Sequence, residues 1–318
     1  MTGMKLLKLN KAVYSLFGLA ILFTSCKEKP KTNSDTLAML STEIKTEAPK
    51  KELSQEFKDY WYNGTAEITS YNLEQARYGE MREGSAVLIY VTEPFLPDAQ
   101  VKADNSSKSN IPVLKLNTTK NYITGIYPYS IMTSSFYPVH DNQHALKVSF
   151  SAQEWCGHVY AQLNNKDDFE IMSHSYFESE GDQDYQIEKA ILENEVWNKI
   201  RVNPENLPIG EIKMIPSLEF IRTTHEEFKA YKAITSLTEV DGMNTYEISY
   251  PELERTLKIN FENKFPYLIE SWTDTFHDGY GQNKKVLTSK GTRINRITTP
   301  YWQQKSNKDL SLRDSLGL

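Results

Sequence analysis

Apolar and polar residues alternate with a period of two along much of this chain, the signature of strands with one buried face. Leu146, Val148, Phe150 and Ala152 take one side of a run whose other side carries Lys147, Ser149, Ser151 and Gln153, which predicts a strand over 145–153. Residues 65–69 alternate in the same way. Residues 85–92 form an almost continuous β-branched run, which predicts a central strand buried on both faces. Further strands are expected at 111–117, around Val159, Ala161 and Leu163, and over 169–178. The last third reads as a meander over 246–250, 256–261 and 267–272, with two more runs at 285–288 and 292–297. One segment changes period. Ile187, Ala190, Ile191, Trp197 and Ile200 fall on one stripe, widened by Leu192 and Val196, which predicts the main helix over 185–200, stopping before Asn203-Pro204. Many antiparallel strands and one helix point to a mainly β (β-rich α+β) fold. The expected architecture is a large curved antiparallel sheet or half-barrel around that helix, with a sandwich as the other solution.

The first residues follow a different logic. Lys5, Lys8 and Lys11 precede an apolar run over 12–23, too short to cross a bilayer comfortably, and Thr24-Ser25 lead into Cys26. Residues 1–25 therefore read as a secretory signal peptide. The ending Leu22-Phe23-Thr24-Ser25-Cys26 resembles the lipobox of bacterial lipoproteins, with Phe23 where the usual pattern has Leu. The resemblance implies cleavage before Cys26 and acylation of its thiol, an anchor that gains roughly 0.8 kcal/mol per buried methylene. Residues 26–55 are rich in Lys, Glu, Thr, Ser and Pro and are expected to form a disordered tether. Lys27-Glu28 partly resembles the surface-export signal of Bacteroidota lipoproteins, but Lys29 stands where that signal has an acid. The expected location is thus the cell envelope, at the outer membrane on its periplasmic side. A single β-rich domain is expected over 56–303, followed by a polar tail over 304–318.

Two further stretches carry resemblances. Residues 257–269, a strand that ends at Phe265-Pro266-Tyr267 before a second strand returns, resemble the hairpins of periplasmic half-barrels of the lipoprotein-carrier type. That likeness implies a concave face able to hold acyl chains. Residues 60–68, 77–80 and 154–158 are similar to uncharacterised Bacteroidota lipoproteins that circulate under the label septum formation inhibitor Maf. Maf pyrophosphatases carry a Ser-x-Ser-Pro-Arg-Arg motif, which this chain lacks, so the label brings no chemistry with it.

Composition narrows the function classes. The net charge of −6 over 318 residues argues against a general nucleic-acid binder, which needs a basic surface. The two cysteines are Cys26 and Cys156, and a lipidated Cys26 leaves none for a disulfide. Cys156 sits in Glu154-Trp155-Cys156-Gly157-His158. Apolar parity is even through Ala152 and odd from Val159, so the register flips here, and Gly157 is the expected pivot of a bulge or bend. One reading makes Cys156 a nucleophile with His158 as its positive or basic neighbour. The favoured reading packs Cys156 and Trp155 around a kinked strand. His140 and His144 lie four apart, but in an Asp-Asn turn with no third ligand in view. Glu178, Glu180, Asp182 and Asp184 crowd a turn that does not match a calcium loop. Glu80, Arg82 and Glu83 near Arg77 read as surface charges. No metal and no cofactor are expected. The expected partners are the membrane, through Cys26, and a hydrophobic ligand, a lipid or another envelope protein. A non-catalytic binding or accessory role is the leading reading, and an extracytoplasmic hydrolase or acyltransferase centred on Cys156 and His158 is the alternative.

Overall fold

The alternating runs resolve into the strands of one sheet. The computed structural model describes residues 52–318 apart from Ser106, Asp141 and Asn142. The expected signal peptide, Cys26 and the expected tether as far as residue 51 lie outside the described residues. A short helix, α1 (Gln55–Trp61), opens the fold, with the Ser54 side chain accepting from the Phe57 amide at its N-cap. The strands that follow are β1 (Ala66–Arg77), β2 (Glu80–Leu96), the two-residue β3 (Val101–Lys102), β4 (Ile111–Thr124), β5 (Tyr127–Pro138) and β6 (Lys147–Glu154). Next come β7 (Gly157–Asn165), β8 (Phe169–Ser175), β9 (Gln183–Ile187) and β10 (Ile191–Leu192), then the main helix α2 (Glu193–Val202). The last part holds β11 (Gly210–Ile215), α3 (Leu218–Thr224), β12 (Tyr231–Val240), β13 (Met243–Tyr250), β14 (Arg255–Glu262), β15 (Ile269–Asp278), β16 (Lys285–Thr299) and α4 (Ser311–Leu316).

The sheet runs β10-β11-β12-β13-β14-β15-β16-β1-β2-β4-β5-β6-β7-β8-β9, with β3 paired to β2 alone. The closing step is β16 against β1, from Ala66↔Thr299 to Glu74↔Lys290, which joins the last strand to the first. Every pair is antiparallel except β10 with β11. The result is one open, strongly curved sheet whose two edges, β9 and β10, are consecutive in sequence. One face is core. Tyr71, Leu88, Tyr90, Leu114, Phe150, Ile248, Tyr250, Ile259 and Phe261 all point inward and are buried. β2 is central, as expected: Ala86, Leu88 and Tyr90 are buried on its inner side and Val91 and Phe95 on the other, whereas Val87 and Ile89 stay partly open. Burial on both faces is thus confined to the C-terminal half of the strand, where Phe95 packs on Phe136, and the N-terminal half is covered on its concave side alone. The two runs at 285–288 and 292–297 are a single strand, β16, interrupted in apolar pattern at Gly291 because the Trp272 indole lies over that glycine. A Cβ there would meet the ring at 2.2 Å.

The helix starts later than the sequence suggests. Gln183–Ile187 is the edge strand β9, and Ile191–Leu192 pairs in parallel with β11 before α2 begins at Glu193. The apolar stripe misleads because α2 is not a surface helix with one buried side. It lies between two limbs of the sheet and is covered all round, with Glu193, Glu195, Val196, Asn198, Lys199, Ile200 and Arg201 buried. Tyr90 donates to the Trp197 carbonyl at 3.0 Å and Asn198 to the Leu114 carbonyl at 2.7 Å on one limb. Trp197 meets Trp272 edge-on, with ring centres 5.6 Å apart, on the other.

Charges buried by this arrangement are compensated. Arg201 grips Glu67 through two bonds of 2.6 Å, both side chains being about 1% exposed. Arg255 holds Glu193 at 2.7 and 2.8 Å and Asp274 at 2.8 and 2.9 Å. Glu195 accepts from the Leu192 amide at the start of α2, from the Ala145 amide and from His144, and sits 3.8 Å from Lys199. Paired and fully hydrogen-bonded ions of this sort hold a helix in one orientation, because any other placement strands a charge. The end of the chain is docked as well: the Ser70 hydroxyl donates to the Leu316 carbonyl, and Leu316 is buried against β16.

Candidate functional site

The register flip at Glu154–His158 is a hairpin turn, not a bulge. Glu154 pairs with Gly157 and Ala152 with Val159, so Trp155 and Cys156 are the two loop residues between β6 and β7. Across such a loop every residue pairs with one of opposite parity, and this alone moves the apolar set from even to odd positions. The packing reading of Cys156 and Trp155 is corrected by the same geometry: Trp155 is 69% exposed and the free thiol of Cys156 is exposed. Gly157 matters for a contact rather than a pivot, since a Cβ there would meet the Tyr176 ring at 2.8 Å. His158 lies one strand position beyond the loop, exposed and opposite Gln153. The Cys156 amide donates to the Glu154 carboxylate at 2.7 Å. A hydrogen bond to that carboxylate pushes the thiol pKa up, with its negative charge adding to the effect. A nucleophilic thiolate needs a positive neighbour, and Cys156 has an acid beside it.

Cys156 does, however, lie on a cleft. At this end of the sheet a space of about 230 Å³ is lined by Arg77, Tyr78, Tyr129, Arg222, His225 and Tyr280, with Glu154, Cys156 and Gly157 at the β6–β7 side. Arg77 ends β1 on the inward parity of Tyr71, Leu73 and Gln75. Its Nη1 donates to the Thr223 carbonyl at 2.8 Å, and Nη2 reaches the Tyr129 and Tyr78 hydroxyls at 3.3 and 3.4 Å. Tyr78 and Gly79 form the two-residue turn into β2, both with positive φ (60° and 75°). A tyrosine in that left-handed region is uncommon, and here it places the ring over Arg77, 4.3 Å from its guanidinium. The Tyr78 and Tyr129 hydroxyls are 2.6 Å apart. Burial, and then the bond to Tyr129, pushes the Tyr78 hydroxyl up, so it remains a proton donor at neutral pH. His225 caps α3, also with φ of 60°, and faces Glu180 at 2.7 Å and the Tyr280 hydroxyl at 3.2 Å.

The other sequence candidates are dispersed. His144 is bonded to Glu195 of α2, so it anchors the preceding loop. Glu180 is taken up by Arg222 and His225, and Asp182 pairs with His174 at 3.1 Å, while Glu178 and Asp184 are exposed. Arg82 pairs with Glu80 at 2.7 Å. Among the described residues no three His, Cys, Asp or Glu side chains gather as a metal ion would require. On the concave face α2 packs between the two limbs of the sheet. Beside α2 lies a cavity of about 80 Å³ with a polar share of wall: Gln75, Thr133 and Ser135 each present a buried oxygen without a protein partner. That is room for a few waters. Arg77 was within reach of sequence reasoning, since it continues the inward series Tyr71, Leu73, Gln75. Its neighbours Tyr129, Thr223 and Tyr280 come from elements far along the chain.

No protein-family model matches this chain, and no curated protein matches it. Among solved structures it is similar to a beta-barrel-like protein of a domain of unknown function from Brucella abortus, with a TM-score of 0.42 and 10% identity over 74% of this chain and 98% of that one. It is also similar to a porin-like protein from Bacteroides uniformis, with a TM-score of 0.21 and 9% identity over 72% of this chain and 96% of that one. Both scores fall below 0.5, and the architecture stands on the strand pairing itself.

Proposed function

We propose that this protein is a lipid-anchored component of the cell envelope, held at the outer membrane through an acylated Cys26, and that it works by binding a ligand without a catalytic step. The observation that carries the binding half is the cleft at the end of the sheet, set in a fold whose interior is already filled by α2. Ligand sites on such scaffolds are largely preformed clefts with a few convergent polar groups. The anchor half is supported by the basic segment, apolar run and Leu22–Cys26 ending. In this reading the ligand carries a polar group, because Arg77 and the Tyr78 and Tyr129 hydroxyls line the cleft beside the apolar Val159 and Phe177.

The alternative, an enzyme using Cys156, is favoured by one observation: Cys156 lines the same cleft as Arg77 and His225. Two experiments on the full chain separate the readings. Replacing Cys26→Ala should move the protein from membrane to soluble fractions, and unchanged retention would defeat the anchor. A thiol probe on native protein, followed over pH, should give an apparent pKa for Cys156 above that of a free cysteine. A value depressed below it, together with loss of phenotype in Cys156→Ser, would defeat the binding reading.

A further inference from the structure

The buried cations among the described residues are of two kinds. Arg201 has Glu67, Arg255 has Glu193 and Asp274, and Lys199 has Glu195. Arg77 is buried almost as deeply, 8% exposed, yet among the described residues no carboxylate lies within ion-pair distance of its guanidinium. Its partners are neutral: the Thr223 carbonyl, two tyrosine hydroxyls and the rings of Tyr78 and Tyr129. Its Nε–H has no protein partner at all. A charge withdrawn from water without a counter-charge is costly, and arginine cannot relieve the cost by losing its proton. Three neutral bonds and two rings reduce that cost but supply no negative charge.

The surroundings are biased the same way. Arg77 and Arg222 face one carboxylate among the lining residues, Glu154, and that carboxylate already accepts the Cys156 amide. Arg222 is matched by Glu180 at 3.1 Å, which leaves Arg77 as the uncompensated charge. The guanidinium fork fits the paired oxygens of a carboxylate or phosphate, and of the two phenols, which share one hydrogen bond, the one whose proton is left over donates to the same kind of oxygen. Thr223 fixes the fork from behind, and the left-handed turn at Tyr78 holds one phenol beside it.

We propose that this cleft is an oxyanion site, in which Arg77 and the hydroxyls of Tyr78 and Tyr129 hold a phosphate or carboxylate group carried on a small ligand. The proposal deepens the binding reading and rests on it only for the cleft being a ligand site. The anchor and the state of Cys156 are tested separately, by fractionation and thiol labelling.

The test uses the ¹⁵N-labelled full chain in detergent, titrated with inorganic phosphate and with acetate while chloride holds ionic strength constant. The Arg77 Nε–H resonance should move saturably with at least one of the two anions. Arg77→Met should weaken that binding about tenfold or more, read at the Tyr78 and Tyr129 amides. Arg293→Met, in β16 and paired with Glu270 outside the cleft, should leave it unchanged. Absence of a saturable shift with both anions overturns the proposal. So does a shift that survives Arg77→Met or disappears equally in Arg293→Met. The Nε–H measurement on the unaltered chain decides the matter even where Arg77→Met does not fold.

Discussion

The helix inside the sheet and the cleft at its end both bury arginine, and they do so in opposite ways. Around α2 every buried cation meets a carboxylate supplied by a distant strand or by the helix itself. Glu67 and Arg201 are 134 residues apart in sequence and share two bonds of 2.6 Å. At the cleft, Arg77 meets carbonyl, hydroxyl and ring, and no acid. The first arrangement satisfies itself and serves the fold. The second is left one negative charge short at a surface opening, which is where a ligand can complete it. Closeness to a cysteine would not have separated these regions; charge compensation does.

The difference can be broken most forcefully on the α2 side. Arg201→Met should cost about 3–5 kcal/mol of unfolding free energy, measured in urea, because it strands Glu67 in the interior. A loss below 1 kcal/mol would mean the pair contributes little and the contrast with Arg77 is empty. Acid gives a second view of the same pair. Burial pushes the Glu67 carboxyl up, but the charge and hydrogen bonds of Arg201 outweigh it and hold the pKa below the usual glutamate value. A depressed folded-state pKa means its contribution is fully present above the unfolded value of about 4.3 and is lost as pH falls through the lower folded value. Unfolding curves below pH 4 should therefore steepen in the parent and flatten in Glu67→Gln, which carries no titrating group there. Packing around the helix should be somewhat more forgiving: Gly291→Ala drives a methyl into the Trp272 ring and should cost about 1–3 kcal/mol in the same assay.

Effects at the cleft should be smaller, and one has the opposite character. Arg77→Met should leave stability within about 1 kcal/mol of the parent, lost hydrogen bonds of about 1 kcal/mol each being offset by relief of an uncompensated buried charge. A drop as large as that of Arg201→Met would show that Arg77 is a structural cation like the others. The smallest expected effect is at the hairpin. Glu154→Gln removes the acid beside Cys156 and should speed thiol labelling near pH 8 by roughly threefold as the thiolate fraction rises. An unchanged rate would free Cys156 from Glu154 and return weight to the enzyme reading.

Much of the fold is legible from alternation, and the failures are instructive. The strands at 145–153 and 159–163 are clear because a single buried face imposes period two on any sequence. The loop between them is harder. Parity reports that the register flips, but a bulge and a two-residue turn give the same signal. Two long strands, Tyr127–Pro138 and Tyr231–Val240, escape notice because Thr133, Ser134 and Ser135 in one and the polar end of the other blur the pattern. The helix over 185–200 is placed too early because its stripe continues the apolar residues of a strand edge. Its charged positions, which look solvent-facing, are buried by pairing. The site shows the same split. Cys156 is conspicuous as a residue type, whereas Arg77 stands out only once its lack of an acid is known.

By itself the sequence determined what is local: which runs are strands, and that most of them bury one face. Those follow from backbone periodicity, which does not depend on distant residues. Tertiary structure alone decided that α2 fills the concave face, that Glu67, Glu193 and Glu195 neutralise the cations buried there, and that Arg77 is left without an acid. Compensation of a buried charge depends on which side chains meet across tens of residues, and no local pattern encodes it.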